Sequence, residues 1–376
     1  MDCVNIKLSG RKKKNVLALG AQSKGGFCFL NKDRACFSGP FGDMGDMENF
    51  ADFQRRINRI RNRIRIKPDI IACDLHPDYT TSRYASEMVK DGEYRLSQIQ
   101  HHEAHIASCV ADNEVKGRVI GIAFDGTGLG SDGNIWGGEF FIGTTKKFRR
   151  AAHLKYIRMP GGEAAISEPW RMAFSYLYNI YGKETGGLDL GFLDRMETGL
   201  LSQIIQKGIN SPFTSSIGRL FDAVAAIIGI RGKVEYEGQA AIELEKKLKA
   251  VSYRLKAEDG YNFKYNVKDE VVVIDWAPVI KAVVRDLKNK KTKAEISAKF
   301  HNAVCYMVRD VCVLLRRKCR IRKVCLSGGV FQNRFLTACV RPLLEKENFK
   351  VYYHRRLPTH DGNIALGQAV IAAVQG

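Results

Sequence analysis

A β-strand that runs into a glycine-rich turn and returns as a second strand occurs twice in this chain, each time followed by helices. Val16–Leu19 opens the first copy. Gly20, Gly25 and Gly26 mark its turn, and Phe27–Leu30 reads as the returning arm. Val119–Phe124 opens the second copy and enters Asp125-Gly-Thr-Gly-Leu-Gly-Ser-Asp-Gly133, with Trp136 and Glu139–Ile142 on the other arm. Between the copies, Phe50, Phe53, Ile57, Ile60 and Ile64 predict a helix over Met47–Ile64. Pro68-Asp69 ends it, and Ile70–Cys73 starts a buried strand. Further on, Lys323–Leu326 leads into Ser327-Gly-Gly-Val330 and an amphipathic helix.

Strands alternating with helices make an α/β protein. The duplication resembles the actin-like, sugar-kinase and chaperone ATPase superfamily, a two-lobed fold of duplicated mixed sheets with flanking helices around a nucleotide cleft. There, hairpin turns cradle phosphates with backbone N–H groups. A glycine-rich turn by itself is as often merely a turn. The 376 residues suit two lobes, with a boundary expected between an N-terminal lobe of 1–115 and a C-terminal lobe of 116–376.

Lys and Arg number 60 against 40 Asp and Glu, a net +20, which suggests an anionic partner without naming it. No apolar run reaches the ~18–20 residues of a membrane span, and the start lacks the apolar stretch of a secretory signal. The ten cysteines contain no C-x-x-C pair, so they read as reduced thiols of a cytoplasmic protein. Cys305, Cys312 and Cys319 recur every seven residues, as small core residues on one helix face would.

The sharpest local signal is Gln100-His101-His102-Glu103-Ala104-His105. His101 and His105 stand four apart, on one face of a helix, in position to grip one ion. A bare pair of this kind is also found capping or decorating surfaces. Asp125, at a strand end before the glycine turn, and Asp361, in His360-Asp-Gly-Asn-Ile-Ala-Leu-Gly367, could complete a ligand set, although Asp361 also reads as a helix N-cap. Two imidazoles with two carboxylates suit iron, zinc or manganese better than calcium or magnesium.

Eight collinear segments carry a closer resemblance: Asp74-Leu-His-Pro-Asp-Tyr79 with Ser82-Arg-Tyr84, QHHEAHIAS, DGTGLGSDGNIWGGEF, Pro160–Ile166 with Glu168–Arg171, Ser215–Val224, Tyr236–Glu243, Leu326–Arg334 and DGNIALGQA. They resemble the carbamoyltransferase half of the hydrogenase maturation family HypF, from about Val16 to the C-terminus. The resemblance implies a transferase that holds carbamoyl-adenylate or ATP. It would pass the carbamoyl group to the C-terminal cysteine of a HypE-type partner. It implies His101, His105, Asp125 and Asp361 as ligands of a divalent transition metal, iron or zinc first. Lys24 and the turn of Gly126, Thr127, Gly128 and Gly130 would follow the phosphates. Asp222 would take the ribose hydroxyls, and Gly328, Gly329 and Asn333 the nucleoside, the glycines letting backbone approach the purine. His76 and Arg83 are candidates to touch the carbamoyl or phosphate group, with turn-stabilising hydrogen bonds as the other reading. Glu237 and Gln239 read either as nucleotide contacts or as interlobe hydrogen bonds.

The acylphosphatase-like, zinc-binding and YrdC-like regions of full-length HypF have no counterpart here, so the adenylate is expected from a separate YrdC-like protein. Three other readings remain: a relative of the tRNA threonylcarbamoyl transferases, which the positive charge favours, a small-molecule O-carbamoyltransferase, and a non-catalytic nucleotide-binding partner. The basic run from Arg55 to Lys67 reads mainly as the solvated face of an amphipathic helix, and Lys288–Lys293 as an exposed turn.

Overall fold

The computed structural model describes residues 4–8, 14–65, 67–188, 198–250 and 260–375. The first sheet comprises β1 (Val4–Lys7), β2 (Val16–Ala18), β3 (Phe27–Asn31), β4 (Arg34–Ser38), β5 (Ile70–Asp74) and β6 (Arg95–Ile99), in the order β1-β4-β3-β2-β5-β6. The second lobe follows with β7 (Val119–Phe124), β8 (Gly138–Thr144) and β9 (Lys147–Leu154), then a two-stranded ribbon of β10 (Ile157–Arg158) and β11 (Phe213–Thr214). With β12 (Lys264–Lys268), β13 (Val271–Asp275), β14 (Lys323–Ser327) and β15 (Lys350–Tyr352), its large sheet runs β12-β13-β9-β8-β7-β14-β15.

The inner five strands of the two sheets share one plan. In each, three strands form an antiparallel meander, the first of them pairs in parallel with a later strand, and that strand pairs in parallel with another. This is the two-lobed α/β architecture expected from the repeated turn. The predicted helix Met47–Ile64 has those bounds. Asp46 caps it by accepting from the Glu48 and Asn49 amides, Phe53, Ile57 and Ile60 are buried, and Arg55, Arg59 and Arg63 are exposed.

The first sheet is apolar on both faces because both are covered. Val16, Ala18, Cys28, Leu30, Ile70 and Ala72 pack on one side, while Leu17, Leu19, Phe27, Phe29, Ile71 and Cys73 pack on the other. The former side meets a core shared with Val119, Ala123 and Cys325 of the second sheet. Two helices fill that shared core, His101–Asp112 and Ile364–Gln375, so the C-terminal helix returns to the first lobe.

None of the nine described cysteines is in a disulfide; Cys305 and Cys312 are buried in the helix Lys293–Cys319, with Cys319 half-buried at its end. Cys3 lies outside the described residues. Among the described residues no helix is long and apolar enough to cross a membrane.

Candidate metal centre and nucleotide cleft

Parallel strands deliver polar groups at their carboxyl ends, where open α/β sheets place ligands. Asp74 ends β5, Asp125 follows β7, and Ser327 ends β14. The helix His101–Asp112 lies directly against this edge. A Cβ on Gly121 of β7 would stand 2.4 Å from Ile106, and one on Gly367 would stand 1.8 Å from the Ala104 carbonyl oxygen. Glycine at both positions lets a strand and the C-terminal helix close on the histidine helix. Gly128 does the same for the loop, since its Cβ would lie 2.6 Å from His102 and 2.8 Å from His101.

The four predicted ligands converge. Asp125 Oδ2 lies 3.4 Å from His101 Nε2 and 3.5 Å from His105 Nε2; Asp361 Oδ1 lies 3.8 and 3.6 Å from the same nitrogens. All four donor atoms fall within 4.8 Å of one another. Both histidines are fully buried, and both Nε2 atoms lack a hydrogen-bond partner among the described residues. Two buried imidazole nitrogens aimed at two carboxylates are unsatisfied as a protein and satisfied by a cation, so the donor set fits a divalent transition metal. The N-cap reading of Asp361 does not hold, because His360 caps this turn by accepting from the Gly362 amide.

Two contacts aim the ligands. Asp74 Oδ2 sits 2.7 Å from His101 Nδ1, and Asp125 Oδ1 accepts from the Gly329 amide at 3.1 Å. Asp74 has no role legible in its motif, because a carboxylate at a strand end 27 residues from its histidine leaves no local signal.

Burial disfavours charge on His101, yet Asp74, Asp125 and Asp361 outweigh it and raise the imidazole well above its ordinary range. Against the same penalty, Asp125 and Asp361 raise His105. Burial would lift Asp125, but the two histidines hold it well below. The cluster is built around positive charge, supplied by protons when no cation is bound. The sign follows: raised histidines stabilise the metal-free fold fully below an ordinary imidazole pKa of about 6.5, and that stability is lost as pH rises through their folded values. The melting-temperature increase on adding Zn2+ is therefore expected to be larger at pH 8 than at pH 6. An increase that shrinks with pH would contradict the assignment.

A cleft of about 310 Å³ opens beside the centre, and Asp125 and Asp361 form part of its wall. Lys24, Gly126, Asp222, Glu237, Gly329 and Asn333 line it. A larger hollow of about 520 Å³, bounded by Asn15, Val16, Ile64 and Pro68, lies at the amino ends of β2 and β5, away from the histidines. Volume alone therefore does not mark the site.

The other predicted residues are placed differently. Thr127, Gly128 and Gly130 are outside the lining, and Gly130 packs on Trp136. Gly328, with φ of 102°, approaches the Phe124 carbonyl: a Cβ would lie 2.2 Å from that oxygen. Gln239 makes local bonds within its own segment, accepting from the Glu235 amide and donating to Glu243. His76 stacks on Tyr79 at 4.3 Å and accepts from the Asp78 amide. Arg83 is exposed on the helix Thr80–Met88, 3.8 Å from Asp78, rather than on a loop. The turn-stabilising alternative fits His76.

Arg219 was missed. Its guanidinium, 3% exposed, pairs with Asp222 at 2.9 Å, and its NH2 nitrogen would lie 3.0 Å from a Cβ placed on Gly126. Its spacing of three from Asp222 on one helix was the available signal. Burial raises the Asp222 carboxyl above its usual range despite Arg219. Arg219→Met strands that carboxylate, a loss of about 3 kcal/mol expected in chemical denaturation, and adding Asp222→Leu should recover most of it.

Fold and site together define a class: a two-lobed α/β protein with a two-histidine, two-carboxylate centre opening onto a nucleotide-sized cleft. Residues 121–368 match the family model "Carbamoyltransferase, Kae1-like Domain, second subdomain", and residues 11–112 match "HypF Kae1-like domain". The chain belongs to the HypF family. It is 34% identical to carbamoyltransferase HypF of Synechocystis sp. over 98% of this chain and 48% of that protein. It is 30% identical to a carbamoyltransferase HypF homologue of Cupriavidus necator over 98% of this chain and 93% of that one. A crystal structure of full-length HypF in a phosphate- and nucleotide-bound form superposes with a TM-score of 0.88 at 38% identity, covering 98% of this chain and 56% of the other. The chain thus spans about half the length of the first of these relatives and most of the shorter homologue.

Proposed function

We propose that this chain is a carbamoyltransferase module that holds carbamoyl-adenylate in the cleft and passes the carbamoyl group to the C-terminal cysteine of a HypE-type partner. The observation that carries the reading is the shared wall: Asp125 and Asp361 belong both to the four-donor cluster and to the cleft. An adenylate lying there would present its reactive end to the cluster. The names of the relatives and the nucleotide-bound HypF structure support the same substrate class.

His101, His105, Asp125 and Asp361 would hold the metal, iron or zinc by donor chemistry. Bound there, it would act as a Lewis acid toward the carbamoyl oxygen. Lys24, with its amine 3.6 Å from Glu237, would sit along the phosphates, and Gly126 would offer backbone N–H. Asp222, steered by Arg219, would accept from ribose hydroxyls, and Gly329 and Asn333 would border the nucleoside. In the transfer, the partner's thiolate sulfur bonds to the carbamoyl carbon, the carbon–oxygen bond to phosphate breaks, and AMP leaves with the electron pair.

We also propose that a YrdC-like activity makes the adenylate, and that the lobes divide at 115/116, a place consistent with the gap between the two family matches. Reconstitution tests the reading. With carbamoyl phosphate, ATP and a HypE-type acceptor, the chain alone should give no thiocarbamate, and adding a YrdC-type protein should restore transfer. Full activity without that addition, or none with it, would overturn the proposal. Lys24→Met should raise the nucleotide Kd roughly tenfold by isothermal titration, the scale of one charge-assisted contact.

A further inference from the structure

The two histidines at the centre are held in different ways. His101 meets a carboxylate directly through its rear nitrogen, at 2.7 Å from Asp74. The rear nitrogen of His105 meets a hydroxyl. Its Nδ1 lies 3.2 Å from Ser327 Oγ, and the same Oγ lies 2.9 Å from His354 Nε2. Beyond His354 stands Asp112, whose Oδ2 is 3.8 Å from His354 Nδ1. All four residues are buried or nearly so, and Asp112 closes the loop by ending the helix that carries His105.

We infer that Ser327, His354 and Asp112 form an orienting relay that fixes which nitrogen of His105 faces the metal. Asp112 is anchored as a carboxylate. It accepts from the amides of Arg355 at 2.5 Å and Arg356 at 3.0 Å, and from Arg356 Nε at 2.9 Å. The nitrogen of His354 that faces this charge must carry its hydrogen, since a lone pair there would point at an anion. No hydrogen-bond partner of that nitrogen stands nearer among the described residues.

His354 Nε2 is then an acceptor and takes the Ser327 hydroxyl hydrogen. The serine oxygen, its hydrogen committed, accepts from His105 Nδ1–H. The remaining nitrogen of His105, Nε2, faces Asp125 and Asp361. With Nδ1 already carrying its hydrogen, Nε2 is the nitrogen that gives up its proton and offers a lone pair when a cation enters between it and those carboxylates, the state a metal ligand requires.

One other group competes for His105 Nδ1. Asn363 Nδ2 lies 3.3 Å from it. Its two hydrogens have three closer acceptors, the carbonyls of Pro358, Thr359 and His360 at 3.0, 3.0 and 2.8 Å. Those carbonyls also fix the amide orientation, because turning the side chain over would set its oxygen against all three. Asn363 therefore packs against His105 without setting its tautomer.

The three relay residues lie on β14, in the segment after β15 and at a helix end. The relay thus couples the second sheet to the metal-binding helix through hydrogen bonds rather than ligands. They act through His105 and are positioning residues. The inference rests on the proposed metal centre, and its test separates the two. The full-length chain is titrated with Zn2+ against a chromophoric chelator, and the visible spectrum of its Co2+ form is recorded.

Ser327→Ala and His354→Leu should each weaken Zn2+ binding ten- to a hundredfold and alter the Co2+ bands. His354→Gln, whose amide can donate toward Asp112 and accept from Ser327, should stay within about threefold of the parent. A parent chain that binds no Zn2+ would sink the metal centre. Parent-like affinity in folded Ser327→Ala, or a lowered melting temperature with unchanged affinity, would sink the relay alone. Should His354→Leu fail to fold, the Ser327→Ala measurement decides.

Discussion

Replacing His105 with alanine is expected to remove transfer activity, by about a thousandfold or more, while leaving a folded chain. The magnitude follows from two considerations. Lewis-acid stabilisation of a developing oxyanion is worth several kcal/mol, and each 1.4 kcal/mol is tenfold in rate. Loss of one of four donors also lowers metal occupancy, and the remaining buried carboxylates then face each other with less to hold them together. Carbamoylation of a HypE-type acceptor measures the first effect, and metal content by elemental analysis the second. His101→Ala should behave alike, with Asp74 left as an unpaired buried carboxylate beside the gap, so its denaturation midpoint should fall further. Transfer that persists at the parental rate in a metal-free His105→Ala protein would mean that the four-donor cluster is structural and the chemistry lies elsewhere.

The second large effect is expected at a residue with no polar atoms in its side chain. Gly367→Val places carbon atoms where the Ala104 carbonyl oxygen now stands, since even a Cβ would approach it to 1.8 Å. A backbone carbonyl within a helix cannot swing aside, so the two helices must separate. Over-packing a tight core ordinarily costs ~1–3 kcal/mol, and contact with main chain on both sides puts this case at or above the upper end. Because Ala104 lies between His101 and His105, and the helix that carries Gly367 follows directly on the turn of Asp361, the separation also pulls ligands apart. Denaturation should show a loss of ~3 kcal/mol or more, and Zn2+ titration a weakened site. Gly367→Ala should do the same to a smaller degree. Parent-like stability in Gly367→Val would show that the two helices have slack that their packing does not suggest.

How much of this was legible beforehand depended on whether the signal was local. The repeated strand–turn–strand units, the helix Met47–Ile64 and the i,i+4 histidines are short-range patterns, and each appears where periodicity and turn chemistry place it. The four-donor cluster was legible because two ligands share one helix and the others stand beside glycine turns. Asp74, Ser327 and His354 were not, since their roles come from the meeting of strand ends and a helix far apart in sequence. The glycines teach the same lesson. Gly128, Gly130 and Gly328 were expected along a ligand, yet the close approaches that demand glycine there are to His102, Trp136 and the Phe124 carbonyl. A glycine pattern reveals that something comes near, while the fold decides what it is. The positive surplus sorted itself by place: Lys24 and Arg219 line the cleft, and Arg55, Arg59 and Arg63 face solvent.

The helix His101–Asp112 touches both sheets at once, and this has a mechanical meaning. His101 is tied to the first sheet through Asp74, and both histidines face Asp125 at the end of β7 in the second. A bound cation would act as the pin of a joint, and prying the sheets apart would break the pin. Under the proposed function, nucleotide and acceptor thiol would pass along the wall formed by residues 218–222 and 237–245, which carries none of the four donors. Loading the metal should accordingly stiffen the hub of the protein while leaving that outer wall free to breathe.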